Sequence, residues 1–294
     1  MTPFRRILFP VDFSAATLAM VPYVSEMAQR FGAAVTVLNA FYFAPEYILA
    51  PRFDDFGYSQ GAEIPYIPVL QELRKQREEH LQEFSRTHFK GLAQTSRIED
   101  GDPATVIESV AKRENTDLIV MPTKGLGRFR RFLLGSVTMK VLHDLACPVL
   151  TSAHASDSES ARPSRYRSIL CAVDLNSEAE IVLKAADFLA QSYGARLCLL
   201  HIEPSFHEHG KESSAQYVRD TFDQVVRSGS GDMAADTSVR VLEGATPEGI
   251  RRAAIEEGAD LIVVGRGHER GNLSRAWSDL YAIIRESPCP VLSV

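Results

Sequence analysis

The sequence predicts an α/β protein built as two tandem, doubly wound, parallel five-stranded sheets. Three observations carry that expectation. Short Val/Ile/Leu runs alternate with helix-length amphipathic segments, and the runs are continuously apolar, as suits strands covered on both faces. The whole pattern occurs twice, in the same order. In each copy the first helical segment is bracketed by a capping residue and a terminating glycine, Ser14 with Gly32 and Asn176 with Gly194. A β-α-β-α rhythm requires right-handed crossovers and hence a parallel sheet.

In the first copy the strands read as Ile7–Val11, Val35–Asn39, Ser96–Ile98, Leu118–Met121 and Val149–Thr151. Ser14 opens a helix whose apolar face includes Leu18, Val21, Met27 and Phe31. Pro22 should bend it, since an interior proline removes a helix hydrogen bond. In the second copy the strands read as Ile169–Val173, Arg196–His201, Val239–Leu242, Leu261–Val264 and Val291–Val294, and the helix from Asn176 to Tyr193 lacks the proline.

Four matched segments define the repeat. Arg5–Ser14 (RRILFPVDFS) is echoed by Arg167–Asn176 (RSILCAVDLN), and Phe31–Ala40 (FGAAVTVLNA) by Tyr193–Ile202 (YGARLCLLHI). Thr116–Gly125 (TDLIVMPTKG) matches Ala259–His268 (ADLIVVGRGH), and Ala146–Ser152 (ACPVLTS) matches Pro288–Val294 (PCPVLSV). The expected domains are 1–153 and 165–294, joined by a Ser-, Ala- and charge-rich linker, 154–164. The first copy carries an extra aromatic and proline-rich segment, Phe41–Pro68. It reads either as a surface insertion packed on its own sheet or as a lid or partner surface.

The 294-residue chain is 45% hydrophobic, as befits a globular core, and its formal charge of −6 argues against a general DNA or RNA binder. No stretch reaches a membrane-spanning length, and the N-terminus reads as a charged start into a strand, without a signal-peptide core. Cys147, Cys171, Cys198 and Cys289 lack CxxC spacing, so they read as reduced, partly buried thiols of a cytoplasmic protein.

In a doubly wound sheet the ligand crevice lies at the carboxyl ends of the strands. Asp12 and Asp174 end the first strand of each copy. A carboxylate there either accepts from ribose hydroxyls or a base amine, or simply caps the turn. After the fourth strand come Pro122, Thr123, Lys124, Gly125, Gly127, Arg128, Arg130 and Arg131, then Gly135 and Ser136 opening a helix over Val137–His143. Glycines let a backbone approach phosphate, and a helix N-terminus binds anions. The competing reading is a solvated basic loop with glycines for turns.

This segment resembles the universal stress protein family, whose motif is Gly-x-x-Gly, nine residues, then Gly-Ser or Gly-Thr. Gly125, Gly135 and Ser136 match that spacing, and the flanking DLIV, LLGSV, KVL, CPVL and VDFS are similar to the family over nearly the whole chain, twice. The resemblance implies a Rossmann-like, adenine nucleotide α-hydrolase-like fold. It further implies ATP or AMP, with or without Mg2+, bound by the first copy as a non-catalytic regulatory module. By resemblance the pocket takes Pro10, Val11, Asp12, Ala40, Met121, Thr123, Gly125, Gly127, Arg128, Gly135, Ser136 and Val137. Pro122 departs from the motif, standing where its first glycine belongs and supplying no N–H; Thr123 is the candidate to compensate.

The second copy departs further. Gly265 keeps the first glycine, His268 replaces the second, and Trp277-Ser278 stands where Gly135-Ser136 stands, so it reads as a degenerate copy. Gly267 and Gly271 remain to shape a loop there, with Arg266, His268 and Arg270 as candidate anion ligands. The CPVL strands read as sheet edges; the resemblance implies that such edges pair the two halves within the chain, with a homodimer and an unknown protein partner left open. The alternatives are a nucleotide-free scaffold, a binder of another small ligand, or a slow ATPase. His207, Glu208 and His209 lack defined metal-site spacing and read as an exposed polar loop.

Overall fold

The computed structural model describes residues 4–42, 66–123, 134–153, 165–174, 179–203, 210–228, 236–266 and 273–294. The first half runs β1 (Arg6–Pro10), α1 (Ala15–Phe31), β2 (Ala34–Phe41), α2 (Tyr66–His88), β3 (Gln94–Asp100), α3 (Pro103–Arg113), β4 (Leu118–Pro122), α4 (Ser136–Asp144) and β5 (Val149–Ser152). The second repeats it as β6 (Ser168–Ala172), α5 (Ala179–Tyr193), β7 (Arg196–Glu203), α6 (Gly210–Ser228), β8 (Thr237–Glu243), α7 (Thr246–Glu256), β9 (Leu261–Val264), α8 (Leu273–Glu286) and β10 (Val291–Ser293). Most of the Phe41–Pro68 insertion lies outside the described residues.

The two parallel units join into one ten-stranded sheet ordered β3-β2-β1-β4-β5-β10-β9-β6-β7-β8. Every pairing is parallel except the central one, where Val149–Thr151 of β5 runs antiparallel to Val291–Ser293 of β10. The CPVL edges therefore cover each other inside one chain, removing two exposed strand edges at once.

Side chains alternate across the sheet, as the pleat requires. One face packs Phe9, Val35 and Leu199 against α1, α2, α5 and α6. The other packs Leu8, Leu38 and Ile262 against α3, α4, α7 and α8. On the first face α1 and α5 meet: Phe31 stacks on Phe188 with centroids 5.4 Å apart, and the Tyr193 hydroxyl donates to the Met27 sulfur at 3.5 Å. Arg30 lies 4.7 Å over the Tyr193 ring.

Helix α1 begins as its sequence requires, with Ser14 Oγ accepting from the Thr17 amide, and ends on Gly32 in the left-handed region (φ 61°). Gly194 does the same after α5 (φ 60°). Leu18, expected on the apolar face, is instead 44% exposed. Its carbonyl is the one that an amide at Pro22 would have met, and exposure leaves it open to water. The helix continues through Pro22 as a single element.

Candidate functional site

The crevice of the first half opens where β1 and β4 part. Strand β1 pairs with β2 as far as Pro10–Leu38, and β4 pairs with β5 as far as Pro122–Ser152. Between themselves β1 and β4 pair only at Ile7–Leu118 and Leu8–Ile119. The reason is in the sequence. The Val11 amide donates to Leu38 and the Arg6 carbonyl accepts from Asp117, so even-numbered positions of β1 face β4. The Ile119 amide donates to Pro148, so by the same alternation position 122 faces β1. The next rung would need N–H groups at positions 10 and 122, and both are proline nitrogens.

Asp12 follows directly, and its Oδ1 accepts from the Ser14 amide at 3.0 Å and from the Thr17 hydroxyl at 2.5 Å. Half of the open question about Asp12 is thus answered: it holds the turn into α1. Between them Phe13 sits at φ 60°, a left-handed conformation that costs a non-glycine residue about 1–2 kcal/mol. Its ring is held by stacking on His80 (4.2 Å between centroids) and by an edge contact with Phe84.

On the other side of the opening, α4 is tied to the end of β4. The Gly135 amide donates to the Thr123 carbonyl at 2.8 Å, and the Thr138 hydroxyl to the Pro122 carbonyl at 3.0 Å. Gly135 is the N-cap residue and contributes no side-chain cap, while Ser136 is exposed as the first helical residue. The start of α4, including Val137, thus stands beside the end of β4 with no side-chain cap from Gly135 on its first-turn amides. Asp102, capping α3, lies 3.8 Å from Lys140 of α4, and the Thr105 amide holds its carboxyl below the usual range.

The other expected residues fall on the same rim with unequal roles. Ala40 is half-buried two residues beyond the Leu38–Pro10 pair, and Val11 is buried beside it. Met121 is buried in the apolar layer under α3 and α4. Thr123 is buried too, its hydroxyl donating to the Ser152 carbonyl at 3.4 Å, so it does not project as a stand-in for the missing donor. Lys124, Gly125, Gly127, Arg128, Arg130 and Arg131 lie outside the described residues, as do His207–His209, Gly267, His268, Arg270 and Gly271.

The second half has closed the equivalent place. Strands β6 and β9 pair through four positions, out to Ala172–Val264, because Ala172 and Gly265 stand where Pro10 and Pro122 stand. Trp277 and Ser278 are the fifth and sixth residues of α8, so their amides belong to the helix interior and not to its first turn. Ile202, in the place of Ala40, leans over Gly249, where an added Cβ would meet Ile202 Cδ1 at 2.6 Å.

Arg266, one of three candidate anion ligands in the second copy, is 1% exposed and reaches into the other domain. Its guanidinium donates to the carbonyls of Leu142 (3.3 Å), Leu145 and Cys147 in the first half and Ser293 (3.3 Å) in the second. Four carbonyl acceptors thus meet its two terminal nitrogens.

Sequence reasoning also passed over Asn39. It is 4% exposed at the carboxyl end of β2, its Nδ2 donating to the Val11 carbonyl at 2.7 Å and its Oδ1 without a partner among the described residues. Its counterpart His201 places Nδ1 2.9 Å from the Val173 carbonyl. A polar residue at the same repeat position inside two apolar runs was the available signal.

Comparison with known proteins agrees with this architecture. The model of the universal stress protein family matches residues 3–152 and again 165–294. A universal stress protein of Thermus aquaticus is 29% identical over 147 residues, covering 50% of this chain and 97% of its own. A universal stress protein A-like protein of Arabidopsis thaliana is 33% identical over 87 residues, 29% of this chain, and the match spans half of that relative's length. The crystal structure of a universal stress protein from Archaeoglobus fulgidus superposes with a TM-score of 0.72 at 23% identity, over 98% of this chain and 97% of its own. This chain belongs to the universal stress protein family, with the family's domain present twice.

Proposed function

We propose that the first domain binds an adenine nucleotide, ATP or AMP, at the opening between β1 and β4, and acts as a non-catalytic regulatory module. One observation carries the reading: the exposed N-terminus of α4, with no side-chain cap of its own, stands at the point where β1 and β4 separate. The N-terminal amides and helix dipole suit a phosphate. In this reading Asp12 and the carboxyl end of β2 at Ala40 receive the nucleoside, and Gly125, Gly127 and Arg128 complete the phosphate side. Mg2+, where present, travels on the phosphates themselves. The second domain, its ladder closed and its helix extended through the Trp277 position, serves as structure.

The domain limits implied are 1–153 and 165–294. No described helix is long and apolar enough to cross a membrane. We read the protein as working in the cytoplasm, where its four free cysteines would stay reduced. Isothermal titration with ATP and AMP is the direct test. Saturable heat in the full chain, abolished by Gly135→Trp, supports the reading. No heat at millimolar nucleotide overturns it in favour of a scaffold or a different ligand.

A further inference from the structure

Helix α4 is touched from both ends. Its N-terminus is the proposed phosphate site, and its C-terminal carbonyls are gripped by an arginine from the other domain. The helix has nine residues, so those ends lie only about 13 Å apart. Leu142 is among the last four helical residues, whose carbonyls have no partner within the helix, and Leu145 is the C-cap residue. Arg266 supplies donors to both and adds the Cys147 carbonyl in the turn before β5. A cation at a helix C-terminus and an anion at its N-terminus are both favoured by the same dipole.

The grip runs one way. Repeat alignment puts Thr123 at the position of Arg266, and among the described residues the Thr123 hydroxyl reaches its own domain's Ser152 carbonyl, not the other domain. Nothing of arginine length stands there to hold the end of α8. The second domain therefore clamps the first domain's helix without being clamped in return by that position. The clamp also lies beside the seam of the sheet, since Arg266 reaches Ser293 of β10, which pairs with Val149 of β5.

We propose that Arg266 makes the second domain an in-built regulator of the first: by fixing the C-terminal end of α4 it holds the N-terminal amides in register for phosphate, so nucleotide occupancy and the domain seam are thermodynamically coupled. This inference rests on the reading of the α4 N-terminus as the phosphate site. Coupling is reciprocal: whatever tightens the seam tightens the ligand, and the ligand tightens the seam. A helix pre-set by a buried clamp gives up less freedom when the ligand arrives.

The test uses the full chain and ATP. Calorimetric titration is run on wild type, Arg266→Met and, as a control for general loss of stability, Phe222→Leu, in α6 where it packs within the second domain away from the seam. Arg266→Met is expected to weaken ATP by about fivefold or more, within the usual range of site coupling, while Phe222→Leu leaves the affinity unchanged. Equal affinity in wild type and Arg266→Met overturns the proposal, as does an equal loss in Phe222→Leu. No ATP heat in wild type overturns the binding reading, and the coupling with it.

Should Arg266→Met fail to fold, hydrogen exchange on the wild type decides. ATP must slow exchange at the Leu145 amide and at Val291–Ser293, beyond the first turn of α4. Protection confined to Ser136–Thr138 and the β1–α1 turn overturns the coupling and leaves the binding reading standing.

Discussion

Replacing Asp12 with alanine removes the acceptor that holds the β1–α1 turn, and the structure sets the size of the effect. Oδ1 takes the Ser14 amide at 3.0 Å and the Thr17 hydroxyl at 2.5 Å. Hydrogen bonds to a charged group are worth roughly 1.5–3 kcal/mol each when shielded. Asp12 is half-exposed, so water replaces part of both, and about 2 kcal/mol in total is the reasonable figure. Thr17 is buried, however, and its hydroxyl would retain only its longer contact with Ser14. The turn also carries the left-handed Phe13, which Asp12 helps to restrain. At about 2–4 °C per kcal/mol for a chain of this class, Asp12→Ala should melt roughly 4–8 °C below wild type. Asp12→Asn keeps an oxygen for both donors and should lose less than half as much. Thermal melting by circular dichroism reads the stability, and titration with ATP reads the ligand role separately. An Asp12→Ala protein melting with wild type would refute the structural assignment. An Asp12→Asn protein that keeps wild-type affinity would show that the carboxylate charge plays no part in the nucleoside contact.

Three further outcomes are expected. Pro122→Gly restores an N–H that faces the Pro10 carbonyl, so ATP affinity should stay within about threefold of wild type while the new amide exchanges slowly; tightening of tenfold or more would mean the donor reaches phosphate instead. Gly249→Ala adds a methyl 2.6 Å from the tip of Ile202, at Cδ1, while alanine favours the α7 interior over glycine by about 1 kcal/mol, so in an Ile202→Ala background it should stabilise by about that much in urea unfolding and by clearly less in the wild type; an equal gain in both would contradict the packing. Burial pushes the Cys147 and Cys289 thiols from an ordinary 9.0 up to about 12. The folded form then holds its protons while the unfolded chain releases them, so stability is intact below pH 9 and falls as pH rises from about 9 toward about 12. Urea midpoints at pH 8 and 10 check the sign, and a Cys147→Ser, Cys289→Ser protein should show a shallower decline.

The fold was legible because apolar periodicity and repetition report directly on which surfaces must be buried. Ser14, Gly32 and Gly194 announced helix limits through short-range chemistry that a single sequence contains. That β5 and β10 are edge strands was legible for the same reason, whereas their pairing followed from the family resemblance and its antiparallel sense from the fold. Arg266 was not legible. A basic residue after a strand and among glycines looks the same whether it meets a phosphate or a helix end, and its partners in the first domain are more than 110 positions away in the chain. Asn39 was missed because its apolar neighbours dominate the pattern, although only the fold brings the Val11 carbonyl to it.

Pro122 looked like damage to a motif, and the ladder gives it a different meaning. A proline at 122 alone would delete one donor from the β1–β4 edge. With Pro10 across the gap, it deletes the donors of the whole next rung, and pairing stops at Leu8–Ile119. The second half shows the alternative: Ala172 and Gly265 keep both donors, the strands stay paired to Ala172–Val264, and no gap opens. In the same half the helix already runs through Trp277 and Ser278, the positions matching Gly135 and Ser136, and the next side chain after Gly265, Arg266, is turned toward the first domain. Apart from Ala172, these changes fall between Gly265 and Ser278 of one copy. The duplication is therefore better understood as a division of labour in which one opening is kept from zipping by two prolines, and the other copy, having closed, supplies the buried arginine that holds its partner's helix in place.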